Sequence, residues 1–492
     1  MPAVTTTPKA GAIPAQSKGK RPAWPALGSL PGPEERARFG KAARGQVPRE
    51  AHAALDLPSD RPDPVDLLQM QAESRLPDLV PVRYGRMLAS PFAYFRGAAL
   101  PMASDLSSGP ATGLIVQACG DAHLSNFGVY ASPERRLVFD INDFDETLQG
   151  PWEWDVKRLA ASAEIAGRDN EFAPKQRRKL VVTAVRSYRE AMRSFSRMTS
   201  QQVWYARLDV EDMMAERSAA VSDRMRKTLD EQMVKARSRD SIQAVAKLTR
   251  VVDGRRRIIS DPPLVAPIGE LADREEGAAA FVPLIAGLLK QYRQTLYEDA
   301  GELVGRYQLA DMARKVVGVG SVGTRCWIIL MLGASHADPL FLQVKEADQS
   351  VLSAYMGPGA HDHQGQRVVS GQRLTQASSD VFLGWIRIDR GIDGRSHDYY
   401  VRQLRDWKLS ADIQNMSAGW MRRYLGFCGW TLARAHARTG DRFAMASYLG
   451  ASDVFDEAIA DFAESYADQN ERDYSALAKA AKSGRITAQT GV

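Results

Sequence analysis

The stretch GDAHLSNFGVYASPERRLVFDINDFDE (residues 120–146) groups acidic and amide side chains near the ends of predicted strands. Asp121 and Asn126 lie in a loop that leaves one predicted strand, and Asp143 ends the next one. Two strands joined by a turn form a hairpin, so all three side chains are expected at one end of it. Each residue alone is typical of a turn. Together they are typical of phosphoryl transfer, in which one Asp acts on a hydroxyl nucleophile while an Asn and a second Asp hold Mg²⁺.

Other residues of this stretch have more than one interpretation. His123 fits either a metal ligand or a hydrogen-bonding residue of the loop, and the loop role is favoured because no second His lies at ligand spacing nearby. Asp140 is also a strand-end carboxylate and competes with Asp143 for the metal. Asp145 is a further metal candidate, and Asp145 and Glu146 offer additional acceptor oxygens.

A glycine-rich segment, GVGSVG at 318–323, lies between two predicted strands, RKVV and TRCWIILML. A dinucleotide-binding fingerprint would continue into a helix, whereas this segment continues into a strand, which favours a hairpin loop that covers phosphates. A third predicted strand, PLFLQVKEA, then presents Lys345, which could pair with the α- and β-phosphates of ATP. A lone glycine segment is usually only a turn, and a strand lysine is usually a solvated edge residue. The prediction therefore depends on the combination.

The remaining sequence divides into regions that differ in their helix-forming and strand-forming patterns, and this predicts an α+β fold. The regions are a disordered basic tail rich in Pro and Ala at 1–45, a segment with the acidic loop and many helices at 46–311, a strand-rich region at 312–410 and further helices at 411–492. The predicted elements are strands at 112–119, 135–143, 313–332 (with the glycine turn), 339–347 and 399–404, and helices at 175–195, 278–298, 366–378 and 421–440.

Composition limits the class of protein. A hydrophobic content of 44% and a charged content of 25% are ordinary for a soluble globular chain. No segment approaches the roughly 20 apolar residues of a membrane helix, and the N-terminus lacks the apolar core of a signal peptide. The three cysteines form no CxxC pair, so neither a disulfide framework nor a cysteine zinc site is predicted, and a reducing cytoplasm is favoured.

The excess of positive over negative charge is confined to the N-terminal end of the chain. Residues 1–50 hold nine Lys or Arg and three Glu, so 9 − 3 = +6, which equals the net charge of the whole protein. Such a tail could contact nucleic acid or an acidic partner, but a solvated linker is the favoured interpretation. Because the rest of the chain is balanced in charge, it predicts no nucleic-acid partner.

Three motifs resemble those of one enzyme superfamily. GDAHLSNFG resembles the G-D-x-H-x-x-N catalytic loop of the aminoglycoside phosphotransferase and choline-kinase branch of the protein-kinase-like superfamily. INDFDE resembles the metal-binding segment that contains Asp-Phe in those enzymes. GPWEWDVKRLAAS (150–162) resembles their next element, in which a helix Asp supports the catalytic loop, and Asp155 matches that position.

This resemblance implies a two-lobed kinase-like enzyme that binds ATP and Mg²⁺ and phosphorylates a hydroxyl of a small-molecule acceptor. By the same resemblance, Asp121 is the catalytic base, His123 is a scaffold residue of the catalytic loop, and the Mg²⁺ ligands are Asn126 and Asp143, with Asp145 as a further candidate. The nucleotide-binding residues would be Gly318, Gly320, Ser321, Gly323 and Lys345.

The order of these segments along the chain differs from that of ordinary kinases. Kinases place the glycine loop and the lysine before the catalytic loop. Here the glycine segment begins 318 − 126 = 192 residues after Asn126. We therefore expect a circular permutation, in which 312–410 forms the strand-rich lobe and the helix at 421–440 would ordinarily lead into the catalytic loop. Permutation is permissible where chain termini lie close together at the surface.

One departure from the kinase pattern concerns the partner of Lys345, which in kinases is a Glu of the following helix. The predicted helix at 366–378 carries no carboxylate, so Glu346, Asp348 and Asp380 remain as candidates. Two other functions stay open. The same parts could transfer AMP onto a protein, or the chain could be a nucleotide-binding scaffold without catalysis.

The chain from about residue 50 onward also resembles a bacterial family named as domain of unknown function 2252. The segments that carry this wider resemblance include SPFAYFRGAA, GQRVVSGQRLTQ and YYVRQLRDWK. That family supplies no established substrate.

Overall fold

Helices and antiparallel strands both contribute to the fold in a computed structural model, which describes residues 31–212, 241–271, 275–316, 318–391, 393–404, 407 and 409–491. The helices are α1 (Pro33–Gln46), α2 (Pro64–Ala72), α3 (Val80–Met87), α4 (Pro91–Gly97), α5 (Ala99–Ser107), α6 (Trp152–Asp169), α7 (Pro174–Phe195), α8 (Ser200–Tyr205), α9 (Ser241–Leu248), α10 (Ile268–Leu271), α11 (Glu275–Arg293), α12 (Glu298–Val304), α13 (Ser353–Met356), α14 (Gln364–Thr375), α15 (Ala418–Thr439), α16 (Arg442–Leu449) and α17 (Val454–Lys482).

The strands are β1 (Ile115–Ala118), β2 (Phe127–Ala131), β3 (Leu137–Ile141), β4 (Leu148–Pro151), β5 (Leu208–Asp209), β6 (Thr249–Val252), β7 (Arg255–Ile258), β8 (Val265–Pro267), β9 (Gln308–Lys315), β10 (Cys326–Leu332), β11 (Pro339–Glu346), β12 (Gly384–Ile388), β13 (His397–Gln403) and β14 (Leu409–Ser410). Two 3₁₀ segments are Arg49–Ala53 and Leu124–Asn126. The predicted α+β class is confirmed.

The large sheet, as we call it, has six antiparallel strands among the described residues, in the order β12-β13-β11-β10-β9-β8. The glycine segment joins β9 to β10, and the pairing of β10 with β11 sets Lys345 opposite Cys326. Helix α14 packs against β12 and β13. The predicted strand after the glycine turn and the third strand, which carries Lys345, are therefore confirmed. The strand before the turn is confirmed with different bounds, because β9 begins at Gln308 and ends at Lys315, within the predicted RKVV.

A smaller sheet carries the acidic stretch and corrects one predicted pairing. Its order is β14-β2-β3-β5, and β2 forms the hairpin with β3, so that Phe127 lies opposite Ile141. Strand β1 pairs instead with β4. The expected hairpin between 112–119 and 135–143 is wrong, because FGVYA forms a strand of its own and takes the place beside β3.

The buried core of the helical part lies between α6, α7, α15 and α17. Trp152 is fully buried and stacks on Tyr188 at 5.6 Å between ring centroids. The two longest predicted helices, at 175–195 and 421–440, are confirmed as α7 and α15. They approach closely, since a Cβ at Gly429 would lie 2.1 Å from the backbone oxygen of Ala184.

Two local features differ from the prediction. Strands β6 and β7 form a hairpin through Asp253 and Gly254, whose φ values of +48° and +71° suit a two-residue turn. The Asp-Gly pair signals such a hairpin, although no strand is predicted in this part of the chain. Helix α1 occupies part of the segment predicted to be a disordered tail and packs against α16, so that prediction is wrong for 33–45. Residues 1–30 lie outside the described residues.

The C-terminal end of α15 lies against β1. The hydroxyl oxygen of Thr439 accepts the N–H of Gln117 at 3.1 Å, and a Cβ at Gly440 would lie 2.6 Å from the side chain of Val116. In the described part of the chain, none of these helices has the length and apolar character needed to cross a lipid bilayer.

Candidate functional site

The loop between β1 and β2 carries Asp121, His123 and Asn126, and it begins at a position that requires glycine. Gly120 has φ +81°, a backbone conformation that other residues rarely adopt. A Cβ there would also lie 2.2 Å from the backbone oxygen of Glu146. This close approach brings the loop against the acidic segment that follows β3.

Replacing Gly120 by Ala should lower the free energy of unfolding by more than the roughly 1–3 kcal/mol that a strained left-handed residue costs. The added Cβ collides with the backbone of the acidic segment as well. Gly113→Ala is the matched control, because Gly113 has φ +74° but a Cβ there would meet no atom within 4 Å. Urea unfolding of both variants measures the difference, and equal losses would contradict the close approach.

Asp155, in the first turn of α6, supports this loop. Its two carboxylate oxygens accept the N–H groups of Cys119 at 2.8 Å and Gly120 at 3.0 Å. Nε2 of His436, from α15, lies 3.1 Å from the same carboxylate. The buried carboxylate therefore fixes the backbone that leads into Asp121.

Asp121 faces an arginine and a histidine. Arg158 of α6 donates from Nε to Oδ1 of Asp121 at 2.8 Å, and Oδ2 lies 3.6 Å from Nε2 of His123. Nδ1 of His123 accepts the N–H of Ser125 at 3.2 Å. Burial lowers the pKa of His123 to about 3, so the ring is neutral at physiological pH. Arg158 fixes one oxygen of Asp121, while the Asp121 side chain keeps 18% of its surface exposed.

Asn126 joins the loop to the end of β3. Its side-chain nitrogen donates to the backbone oxygen of Asp121 at 2.8 Å, and its backbone carbonyl accepts the N–H of Asn142 at 2.7 Å. The first bond orients the side-chain amide, so that its side-chain oxygen is the atom that can serve as a ligand.

The structure separates the two competing metal candidates, Asp140 and Asp143. Asp140 is 1% exposed, forms an ion pair with Arg434 and accepts the N–H of Ala377 at 2.8 Å. Asp143 lines the cavity described below, with Oδ1 3.8 Å from Nζ of Lys345, and Asp140 is absent from the described lining. Asp143 is the one placed to meet a ligand.

Lys345, on β11 of the large sheet, forms an ion pair with Asp145, in the acidic segment that follows β3. Nζ of Lys345 donates to Oδ2 of Asp145 at 2.6 Å, and the hydroxyl of Tyr400 donates to Oδ1 at 2.6 Å. Burial raises the pKa of Asp145, but the charge and hydrogen bond of Lys345 outweigh it and hold the pKa below its usual range. Burial lowers the pKa of Lys345, and the charges of Asp143 and Asp145 more than reverse that effect. Both groups are therefore ionised.

The carboxylates that the sequence left as candidates for Lys345 bind elsewhere. Glu346 pairs with an arginine, Asp348 accepts a serine hydroxyl, and Asp380 accepts a backbone N–H at the end of β13. Helix α14 contributes Arg367, whose guanidinium donates to two backbone carbonyls of the acidic segment at 2.6 and 2.9 Å. The ion-pair partner of Lys345 is therefore Asp145 in the acidic segment, and not a residue of α14.

The glycine segment folds over the same ion pair. Gly318 and Gly323 have φ values of +59° and +89°, which form its two bends. The hydroxyl of Ser321 donates to Oδ2 of Asp145 at 3.1 Å. Arg86 of α3 donates to the carbonyl of Gly318 at 2.6 Å, which ties the segment to the N-terminal helices.

These residues surround a cavity of about 480 Å³, within the range of roughly 300–1,000 Å³ typical of small-molecule sites. The predicted site residues that line it are Asp121, His123, Asn126, Asp143, Asp145, Gly318, Gly320 and Ser321. Lys345, Gly323 and Asp155 stand behind this wall and are not among the described lining residues. The fold thus brings together the two segments that the sequence singled out.

The donor atoms at this wall suit a hard cation. Carboxylate oxygens of Asp143 and Asp145 and the amide oxygen of Asn126 are ligands that Mg²⁺ prefers, with water and phosphate oxygens as the rest. Among the described residues, no cluster of three or more His, Cys, Asp or Glu side chains is arranged to hold a metal ion. The residues fit a Mg²⁺ ion that arrives with a phosphate, and they do not form an all-protein cage.

Three residues of the site were not predicted. Arg158 binds Asp121, Tyr400 binds Asp145, and Arg96 of α4 lines the cavity. The available signals were weak. The arginine of α6 lies on a helix that is buried almost throughout, and the tyrosine belongs to a strand whose sequence indicates only packing.

Glu146 also lines the cavity, and the N–H of Val351 donates to its Oε2 at 2.7 Å. Burial raises the pKa of Glu146 to about 7, and the charges of Asp145 and Asp121 act in the same direction. The hydrogen bond from Val351 and the charge of Arg367 lower the pKa and offset part of this rise. The usual value is 4.5, so the folded protein binds more protons than the unfolded chain between about pH 4.5 and about pH 7. Stability should therefore fall as the pH rises through that interval.

Replacing Glu146 by Gln should remove this part of the slope. Urea unfolding between about pH 5 and about pH 7 would show a shallower decline in the variant than in the natural protein. Glu153, whose pKa burial also raises to about 7, is present in both proteins and keeps the remaining slope. An unchanged slope in Glu146→Gln would contradict the assignment.

Comparison with known proteins relates most of the chain to a family of bacterial proteins. A family model described as an uncharacterized protein conserved in bacteria (DUF2252) matches residues 75–480. This covers 480 − 75 + 1 = 406 of the 492 residues and includes the acidic loop, the glycine segment and Lys345. No curated protein and no solved structure matches the chain.

Proposed function

We propose that the chain, which belongs to this DUF2252 family of uncharacterized bacterial proteins, is an ATP- and Mg²⁺-dependent phosphotransferase with a circularly permuted kinase-like fold. The acceptor is a hydroxyl group on a small molecule. The observation that carries the proposal is the 2.6 Å contact of Lys345 with Asp145, two residues 200 positions apart, beneath a glycine segment and beside Asp121. This is the set of parts that phosphoryl transfer requires.

The permutation is supported by the end of α15. Thr439 bonds to Gln117 of β1, and β1 leads into Asp121. In a chain with the ordinary kinase order, a helix in the place of α15 would continue into a strand in the place of β1. The two ends are already adjacent in space, although they are far apart in sequence.

The phosphates of ATP would be held by backbone N–H groups of the glycine segment at 318–323, with the positive charge of Lys345 directly behind this wall of the cavity. Asn126, Asp143 and Asp145 would hold Mg²⁺, which neutralises charge on the phosphate oxygens. Lys345 and Asp145 already lie in contact. One ion pair therefore positions both the cation that would face the phosphates and a carboxylate that would hold Mg²⁺.

Asp121 would accept the proton of the acceptor hydroxyl. The hydroxyl oxygen forms a bond to the γ-phosphorus, the bond from the γ-phosphorus to the β,γ-bridging oxygen breaks, and ADP leaves with that electron pair. Arg158 holds Oδ1 of Asp121, which leaves Oδ2 for the proton. His123 is a poor competitor as a base because burial lowers its pKa to about 3.

The test is to incubate the full chain with Mg²⁺, ATP labelled in the γ-phosphate and a bacterial metabolite pool. We expect label in a small molecule together with ADP, and loss of both in Asp143→Ala but not in Asp412→Ala, which changes an exposed residue. A protein that gains the mass of an adenylate would replace the proposal by AMP transfer. ATP binding without any product would favour the scaffold without catalysis.

A further inference from the structure

Arg96 is a cation of the cavity wall that the proposed reaction does not use. It lies in the last turn of α4, within the SPFAYFRGAA segment, and lines the cavity beside Asp121. Its Nε is buried and forms no hydrogen bond, and within the described residues its guanidinium forms no ion pair. Burying a cation without a partner is unfavourable, so such a group is suited to receive one.

The neighbouring arginines are occupied. Arg158 donates to Asp121 and to the carbonyl of Phe95 at 2.7 Å, and its guanidinium lies over the Phe95 ring at 3.8 Å. Arg75 donates to the carbonyl of Val322 in the glycine segment, although its Nε also lacks a partner. Arg96 differs from both because its guanidinium forms no hydrogen bond to any described residue.

Asp121 is the charged side chain that acts on Arg96, and one of its oxygens is already paired with Arg158. Burial lowers the pKa of Arg96, with the charge of Asp121 opposing it, and the guanidinium remains charged at neutral pH. The carboxylates of Asp143, Asp145 and Glu146 line the same cavity, so the positive charge of Arg96 acts locally, beside Asp121. An anionic group that reaches this place can pair with Arg96.

The position of Arg96 assigns that anion to the acceptor. The phosphates of ATP have Lys345 and the glycine segment, whereas the lining residues that follow Arg96 in the chain are Gly97, Ala99 and Leu100. These small and apolar residues suit a carbon skeleton. The acceptor must place its hydroxyl at Asp121, so a second group of the same molecule can reach Arg96.

We propose that Arg96 binds an anionic group of the acceptor, a phosphate or a carboxylate, so that the substrate is an anionic hydroxyl compound. This inference rests on the proposed function. It gives the acceptor the charge opposite to that of choline or an aminoglycoside, both of which are cations. The planar guanidinium offers two parallel N–H groups, the geometry that phosphate and carboxylate groups accept in bidentate fashion.

The test uses isothermal titration calorimetry on the full chain, with inorganic phosphate or acetate as the probe. The nucleotide site is first filled with Mg²⁺ and a non-hydrolysable ATP analogue, so that the probe cannot occupy the γ-phosphate position. We expect one of the two anions to bind the natural protein, and Arg96→Gln to weaken that binding at least about tenfold while the analogue binds as before. Arg178→Gln, at an exposed surface pair, is the matched control and should change neither affinity.

Several results would overturn the inference. The inference is wrong if neither anion binds the natural protein. It is also wrong if Arg96→Gln loses affinity for the analogue and keeps affinity for the anion. If the analogue itself fails to bind the natural protein, the proposed function fails. The same titrations without nucleotide then still decide whether Arg96 binds an anion. Arg96→Lys, which keeps the charge, should retain part of the affinity.

Discussion

Replacing Asp121 by Asn lowers the rate of phosphoryl transfer by about 10²–10⁴-fold, the usual contribution of a general base. The amide oxygen of Asn can still accept the Nε–H of Arg158, which now holds Oδ1 at 2.8 Å, so the loop keeps its shape. What disappears is the carboxylate oxygen that takes the proton of the acceptor. The affinity for a non-hydrolysable ATP analogue should stay within about twofold, because Asp121 does not contact the nucleotide in the proposed reaction.

The rate is measured as transfer of γ-label into the metabolite pool, with thermal unfolding as a check on folding. Asp412→Asn, at an exposed position, is the control and should transfer label at the natural rate. A folded Asp121→Asn protein with the natural rate would remove Asp121 from the chemistry. A loss of analogue binding would assign it to the nucleotide site.

Replacing Lys345 by Met should reduce both nucleotide binding and stability. Lys345 is 2% exposed and Asp145 is 27% exposed, so the substitution leaves a largely buried carboxylate with the hydroxyls of Tyr400 and Ser321 as its remaining neutral partners. Removing one member of a buried pair costs about 3–5 kcal/mol, and we expect the lower end because Asp145 keeps some contact with water. Transfer should fall by about 10²-fold or more, as when one preorganised donor is lost from a reacting oxyanion.

The stability loss in Lys345→Met should depend on pH. The pKa of Asp145 is lowered in the folded protein, so the ion pair stabilises the fold above the unfolded pKa of Asp, about 4. That stabilisation fades as the pH falls below about 4, where the unfolded chain takes up the proton first. The difference between the two proteins in urea unfolding should therefore shrink in acid.

The double variant Lys345→Met/Asp145→Asn separates the two roles of the pair. It should regain most of the stability, since no unpaired charge remains, but it should not regain binding of the ATP analogue. If the double variant is no more stable than Lys345→Met, the ion pair does not explain the loss. If Lys345→Met binds the analogue as the natural protein does, Lys345 is not part of a nucleotide site.

The elements that the sequence predicted well are those with local signals. The apolar run CWIILML identifies β10, and the helical spacing of apolar residues identifies α7 and α15. Strand β9, QLADMARK, carries no β-branched or aromatic residue and largely precedes the predicted RKVV. The hairpin partner of β3 was missed because FGVYA directly follows the loop that carries Asp121 and Asn126, and the Asn126–Phe127 boundary carries no turn signal.

The sequence predicted most of the residues that line the cavity, but it did not predict which of their side chains contact one another. Asp140 and Asp143 both end a strand, and only the buried arginine of α15 shows that Asp140 belongs to the core. The partner of Lys345 could not be found by looking at the next helix, because it lies 200 residues earlier. Arg96 and Arg158 belong to helices whose orientation toward Asp121 is set by tertiary packing alone.

The separation of Asp145 from Lys345 also sets the order in which the protein can acquire its site during synthesis. A growing chain presents the acidic loop long before the large sheet exists. At about 5–20 residues per second, the 200 residues between the two side chains take about 10–40 s to translate. During that time the loop lacks both Lys345 and the glycine segment, so a ribosome-bound or prematurely terminated chain that ends before β9 has only part of the cavity wall. The described lining residues extend to Ala354, so the chain must be translated at least that far to contain all of them.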